Sequence, residues 1–236
     1  MIDARMFTVG PVQENCYVVR TPGSERAVII DPGDEAERLL GALKALEITT
    51  VEAILLTHTH FDHVGAVAPV ARATGAAVYC PELETQVLAD INAYVRWPGF
   101  GPFESYDADE TVSGGETLAL AGMAFEVSFV PGHSPGHVSY GVREQPDDSA
   151  AVRSGEAGGR ADRKVEALFS GDVLFQGSVG RVDLPGGDWP TLLASIDSLL
   201  QAYPGETTVY PGHMGLTTLG AERDTNPFLR ELAHHS

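Results

Sequence analysis

Seven consecutive residues, Thr57-His58-Thr59-His60-Phe61-Asp62-His63, include four side chains that can give an electron pair to a metal ion. Imidazole nitrogens combined with a carboxylate suit zinc, manganese or iron better than magnesium or calcium. On an extended loop His58 and His60 project to one side, because alternate residues share a side. Asp62 and His63 lie just beyond, where the chain turns towards a helix. One short loop could thus supply ligands to two adjacent ions. A pair of divalent ions makes hydroxide available near pH 7, so the chemistry suggested is hydrolysis.

Each ion needs more ligands, and three other places offer them in one setting. The predicted strand 125–130 ends in Pro131-Gly132-His133, the strand 167–169 in Ser170-Gly171-Asp172, and the strand 207–210 in Pro211-Gly212-His213. Each time a strand stops, a glycine frees the backbone and a ligand-type residue follows. If these strands neighbour one another in a sheet, the four loops converge on one edge. Taken singly, His133 or His213 would be a capping or core residue, and Asp172 a turn former. The cluster at 58–63 changes that reading. His137, in Pro135-Gly136-His137, is expected to hydrogen-bond a ligand or its loop rather than to ligate. His234 and His235, in a terminal His-His-Ser, read as a disordered tail.

The elements that must position these residues are legible in outline. The continuous apolar run 53–56 predicts a short buried strand, which puts the histidine loop at a strand's C-terminal end, where open α/β layers place their sites. Stretches 6–9, 16–20 and 27–30 are β-rich and separated by Gly-Pro, Pro-Gly and polar turns. Asp34 is expected to N-cap a helix over 35–46 that carries Leu39, Leu40, Leu43 and Leu46 on one face. Helices are expected over 64–74 and 81–92, with a strand at 77–80 between them. The aromatic, Pro- and Gly-rich stretch 97–103 is not regular structure and could line a pocket or cover a core edge. Strands at 117–120, 124–130, 137–142 and 165–169, a helix at 189–202 and a strand at 207–210 complete the pattern. Residues 144–164 lack an apolar period and read as a flexible loop insertion without function. The order strands-then-α/β occurs twice, which suggests two similar layers packed face to face with helices outside.

Composition sets the outer limits. With 236 residues and 43% apolar content the chain can bury a substantial core. The formal charge of -18, from 15 basic and 33 acidic residues, repels phosphate backbones and disfavours nucleic-acid partners. Much of that charge reads as solvated surface. Cys16 and Cys80 sit in apolar strand-like stretches and read as buried free thiols. No signal-peptide core and no membrane-length apolar run is present, so a cytoplasmic protein without a membrane partner is expected.

The loop Thr-His-Thr-His-Phe-Asp-His resembles the HxHxDH signature of the metallo-β-lactamase superfamily, and His133, Asp172 and His213 match its remaining ligand positions in order. The resemblance runs from about Val9 to Leu229. It implies a four-layer αββα sandwich in a single domain over 1–236, with two mixed sheets and helices on the outer faces. It implies one ion held by His58, His60 and His133, a second held by Asp62, His63 and His213, and Asp172 bridging them. Two divalent ions, zinc in the first place with iron or manganese as alternatives, are the expected cofactors.

Within the superfamily, Gly-Pro-Val-Gln-Glu-Asn-Cys-Tyr (10–17), Ser-Gly-Asp-Val-Leu-Phe (170–175) and Gly-Ser-Val-Gly-Arg-Val-Asp-Leu-Pro-Gly-Gly (177–187) look like the glyoxalase II-like branch. Its members hydrolyse thioesters such as S-D-lactoylglutathione, so a small acyl-thiol is the expected partner. The tail 222–228 resembles the single-domain members. Only 23 residues follow His213, where classical members add a helical domain with basic residues that grip glutathione. Arg181 matches the branch's basic substrate-binding position, and Asp183 stands where a tyrosine is usual. In such a site hydroxide attacks the thioester carbonyl and Asp62 orients it or takes its proton.

Three other readings fit parts of this pattern. A persulfide dioxygenase-like oxidoreductase would use one iron on the same fold. A lactone or β-lactam hydrolase would use the same hydroxide. A non-catalytic binding module would not need the complete ligand set.

Overall fold

The computed structural model describes residues 2–95, 97–145 and 165–230. Apart from Glu144 and Gln145, the insertion expected over 144–164 lies outside the described residues, as do His234 and His235.

Strands β1 (Asp3–Val9), β2 (Glu14–Arg20), β3 (Arg26–Ile30), β4 (Thr50–Leu55), β5 (Ala77–Pro81) and β6 (Glu110–Val112) form one sheet in that order. The first three pair antiparallel, and β3 to β6 run parallel. Strands β7 (Thr117–Leu120), β8 (Met123–Phe129), β9 (Val138–Glu144), β10 (Ala167–Gly171), β13 (Thr208–Pro211) and β14 (Thr217–Thr218) form the second sheet, in the order β14-β13-β10-β9-β8-β7. Only β10 and β13 are parallel there. A small hairpin, β11 (Leu174–Phe175) with β12 (Ser178–Val179), stands apart.

Side-chain alternation along the strands builds three apolar layers. In β2, Tyr17 and Val19 face the second sheet, where they meet Phe125, Tyr140 and Phe169. Cys16 and Val18 face the other way, onto helix α1 (Ala36–Ala45) through Leu39 and Leu43 and onto α3 (Val67–Thr74) through Val67 and Val70. Leu168 and Val209 on the far face of the second sheet pack under the helix Trp189–Ala202 through Leu192, Ile196 and Leu199. The result is the αββα sandwich with two mixed sheets. Among the described residues, no helix is long and apolar enough to cross a membrane.

Several expectations are corrected. Asp34 is not the N-cap of α1: that position is Glu35, in the left-handed region at φ 53, and the Asp34 carboxylate instead accepts the Glu35 N–H at 2.6 Å. The helix expected over 64–74 is two pieces, α2 (Phe61–Val64) and α3, because the Ala66 N–H bonds to the Pro32 carbonyl at 3.0 Å instead of continuing the helix, with Ala66 at φ -105 and ψ 5. The helix expected over 81–92 is a 3-10 turn (Glu82–Glu84), then α4 (Thr85–Ala89), then α5 (Ile91–Tyr94), broken at Asp90 with φ -148 and ψ 62. β9 runs to Glu144, and Arg143 pairs with Glu126 across β8 at 2.9 Å. The aromatic stretch serves both purposes left open for it: Trp97, Phe100 and Phe103 close on the Phe61 ring, and Phe103 also covers the first core.

Candidate metal centre

Three ligand-type residues leave the second sheet from one edge. β8 and β10 are each antiparallel to β9, so they run in the same direction, and β10 is parallel to β13. The loops after them carry His133, Asp172 and His213. The loop after β4 carries His58 to His63, but β4 lies in the first sheet, and β9 separates β8 from β10. The site therefore sits where the ends of two sheets meet, rather than on one row of neighbouring strands.

The side chains converge in two groups. His58 Nε2 lies 3.1 Å from His60 Nδ1, which lies 2.8 Å from His133 Nε2. His213 Nε2 lies 3.3 Å from Asp62 Oδ2, and His63 Nε2 lies 3.9 Å from the same oxygen. Each triad offers donor atoms close enough together to share one ion. Asp172 stands between them: Oδ1 is 3.3 Å from His63 Nε2, while Oδ2 is 3.5 Å from both His133 Nε2 and His213 Nε2. Donors about 3.3 Å apart are what a tetrahedral ion with bonds near 2.0 Å requires. His63 Nε2 and Asp172 Oδ1 are buried and have no hydrogen-bond partner among the described residues. Buried polar atoms are seldom left unpaired, so two of them facing each other fit a cation.

The tautomers are set from outside the centre. His63 Nδ1 faces Asp31 Oδ2 at 3.0 Å, His133 Nδ1 faces the Arg181 carbonyl at 2.8 Å, and His213 Nδ1 faces the Gln13 carbonyl at 3.2 Å. His58 Nδ1 faces Thr57 Oγ1 at 3.1 Å, and that hydroxyl already donates to Asp31 Oδ2 at 2.6 Å. In each case the acceptor takes the Nδ1 proton and turns Nε2 inward; burial opposes charge on His63 and His213, but Asp172 and Asp62 outweigh it and raise both, so an ion would displace a proton from each of these two Nε2 atoms. Burial, reinforced by neighbouring imidazoles, holds His58 well below the usual histidine range and His60 down to about 3, so both are neutral near pH 7, as a metal donor must be. Burial works against charge on Asp172, but His63, His133 and His213 outweigh it and keep the carboxylate ionised.

Two carboxylates outside the metal shell tie the site together. Asp31, at φ 48 just past β3, accepts the Thr57 N–H at 2.8 Å as well as the Thr57 hydroxyl and His63. Glu84 accepts the Thr59 N–H at 2.7 Å, the Thr59 hydroxyl at 2.8 Å, the Gly136 N–H at 3.0 Å and the Ser134 hydroxyl. It thereby clamps the loop of His60 to the loop of His133. Sequence reasoning missed both: Asp31 reads as a turn residue and Glu84 as surface helix. A third, Glu14, is fully buried 3.8 Å from His63 Nδ1, and burial pushes its carboxyl well above the ordinary range. His137 Nε2 accepts the Asp172 N–H at 3.0 Å, and its ring stacks on His58.

The segments singled out in sequence now have mechanical roles. Asn15 donates to the Pro211 and Met214 carbonyls at 3.1 and 2.9 Å, and Tyr17 donates to Pro211 at 2.7 Å, so β2 holds the His213 loop across the sheet junction. Buried Glu222 and Asn226 hold Gly177 and Ser178 in the hairpin whose Phe175 and Val179 wall the cleft. That cleft, about 460 Å³, opens over His60, Asp62, His133, Asp172 and His213. Arg181 lines it, with its guanidinium engaged by both oxygens of Asp183 at 2.6 and 2.7 Å.

Comparison with known proteins agrees with this architecture. Residues 9–147 match the family described as the metallo-beta-lactamase superfamily. The chain is 32% identical to the hydroxyacylglutathione hydrolase GloC of Haemophilus influenzae, over 97% of this chain and 98% of that one. Among solved structures it is similar to TTHA1623 in a di-iron-bound form, at 42% identity and a TM-score of 0.75 over 95% of this chain and all of that one. It is also similar to the BLEG-1 B3 metallo-beta-lactamase, at 40% identity and a TM-score of 0.81 over 97% of this chain and all of that one.

Proposed function

The chain belongs to the metallo-beta-lactamase superfamily, and from that premise we propose that it is a dinuclear metallo-hydrolase that cleaves acyl thioesters of the S-D-lactoylglutathione type. One observation carries the dinuclear reading: the Asp172 carboxylate reaches histidine nitrogens of both triads while its Oδ1 has no other partner among the described residues. His58, His60 and His133 would hold one ion, Asp62, His63 and His213 the other, and Asp172 both. The thioester reading rests on similarity to GloC over nearly the full length of both chains.

Bound divalent ions supply hydroxide near neutral pH and an electrophile for the carbonyl oxygen. The chain's own groups do the rest. Burial opposes the charge of Asp62, but His63 and His213 outweigh it and hold the carboxyl below its usual range, so it faces the cleft ionised and can orient the attacking water or take its proton. Phe61, Trp97 and Phe100 wall the centre and limit bulk water around the carbonyl. A departing thiolate needs little acid help, because a thiol pKa near 8.5 is far below that of an alcohol. We propose zinc as the resident metal, with iron or manganese able to take its place; the di-iron form of TTHA1623 supports an iron-competent site.

The test is hydrolysis of S-D-lactoylglutathione by the purified protein, with metal content measured and His60→Ala as control. Two ions per chain and activity abolished in the variant are expected. Oxygen consumption with a glutathione persulfide and no thioester cleavage would replace this reading with the persulfide dioxygenase one.

A further inference from the structure

Next to the metal cleft lies a second pocket, of about 250 Å³. Phe61, Val87, Ile91, Trp97, Pro135 and Leu184 supply its apolar wall. His60, Phe61, Trp97 and Leu184 line both spaces, so the pocket adjoins the reaction centre. Besides His60, the ionisable side chains among its described lining residues are Glu84 and Tyr94, and the Glu84 carboxylate is occupied by Thr59, Ser134 and Gly136. Leu83, Tyr94 and Trp97 rim the mouth although they are 66%, 51% and 39% exposed. Large apolar side chains left in water around a concave apolar space mark a binding surface.

The hydrolysis proposed above needs only the cleft, and this pocket is extra room. A water's share of liquid volume is about 30 Å³, so the pocket holds roughly eight waters' worth of space. A lactoyl group has three carbons and two polar oxygens, and it would leave most of the wall wet.

Resting on the thioester reading, we propose that the pocket receives the acyl half of the substrate, and that the preferred acyl group is uncharged, apolar and longer than lactoyl. The assignment to the acyl half follows from chemistry. Thiol carriers of acyl groups in water are themselves polar; the pocket's Thr59, Ser134 and Glu84 are occupied by bonds to one another, while Ser178 and Arg181 line the cleft and not the pocket. Arg181 is paired with Asp183, so it offers a polar surface more than a free cation.

The experiment measures kcat/KM of the metal-loaded enzyme on a series of N-acetylcysteamine thioesters from acetyl to octanoyl. Each added methylene should raise kcat/KM about four-fold until the pocket fills. A flat or falling series with turnover intact overturns this inference and leaves thioester hydrolysis standing; no turnover of any thioester overturns the functional reading beneath it. A parallel series carries the chain on the thiol instead, as acetyl thioesters of alkanethiols. A rise there, without one in the acyl series, gives the pocket to the thiol half and overturns the proposal. Leu83→Asp, at an exposed rim position that folding tolerates, and Val87→Trp, which fills the pocket, should each cut the octanoyl-to-acetyl ratio at least ten-fold; an unchanged ratio in both counts against it. Binding can also be read without catalysis. In a Trp189→Phe background Trp97 is the remaining tryptophan, and its emission should shift with octanoate and not with acetate, in metal-depleted protein as well. Emission indifferent to octanoate overturns the proposal.

Discussion

Asp31 Oδ2 lies 3.0 Å from Nδ1 of His63, a residue 32 positions further along the chain. The contact joins the end of β3 to the helix turn after β4, and it sets which imidazole nitrogen faces the metal centre. A carboxylate behind a ligating histidine orients the ring and raises its basicity. Asp31→Asn keeps the volume and loses the charge. We expect metal affinity at the Asp62–His63–His213 site to fall 10- to 100-fold, read by competition with a chromophoric chelator. Unchanged affinity for both ions would mean that Asp31 serves Thr57 alone.

Glu84 supports the other half of the centre. Its carboxylate takes four donors from the loops of His60 and His133, and it is buried. Glu84→Gln turns an amide N–H₂ towards donors and leaves some of them unpaired. A loss of about 2–4 kcal/mol in folding stability is expected from urea unfolding at equal metal loading. A change within error would show that water replaces the carboxylate without cost.

Gly212 is needed for space rather than for backbone freedom. A Cβ there would overlap Asp172 Oδ1 and come within 2.7 Å of His63 Cε1. Gly212→Ala should displace the carboxylate that lies between the triads and reduce metal content from the proposed two ions per chain towards one, measured by elemental analysis. Gly132 is needed on both counts: its φ is 127, and a Cβ there would come within 2.5 Å of Leu192 Cα.

Cys16 and Cys80 are both fully buried, and burial pushes both thiols well upward in pKa. Neither should react with a thiol reagent at pH 8 in the folded protein, and both should react on unfolding. The same shifts carry a stability consequence. A thiol whose folded pKa exceeds its unfolded value of about 8.5 favours the folded state fully below that pH, and this contribution is lost as pH rises towards the folded value. Replacing both by Ala should therefore flatten the alkaline arm of the stability profile.

How much of this was legible in the sequence varied with distance along the chain. His58, His60, Asp62 and His63 are neighbours, and alternation on an extended loop is enough to group them. His133, Asp172 and His213 carried a weaker local sign, a strand followed by glycine and a donor, and their order matched a known family. Asp31 and Glu84 carried no sign: their partners lie 25 to 52 residues away, and an acidic residue at a turn or on a short helix is commonplace. Helix boundaries failed for a similar reason. The run 64–74 has a helical apolar period, but the Ala66 N–H leaves the helix for the Pro32 carbonyl, and no local rule sees that contact.

The sequence by itself determined the candidate donors, ten of the strands and the alternation along them, because residue chemistry and a period of two are local properties; it did not mark β6, β14 or the hairpin β11–β12, which are only two or three residues long. Only the tertiary structure decided that β4 joins a different sheet from β8, β10 and β13, so that the centre forms at the junction of two sheets held by Asn15 and Tyr17. It also supplies the distances that put Asp172 between the two triads, and it alone opens an apolar pocket beside them. Which strand pairs with which, and which donor meets which lone pair, depends on contacts between residues far apart in the chain, and those are chosen by packing of the whole chain rather than by any segment of it.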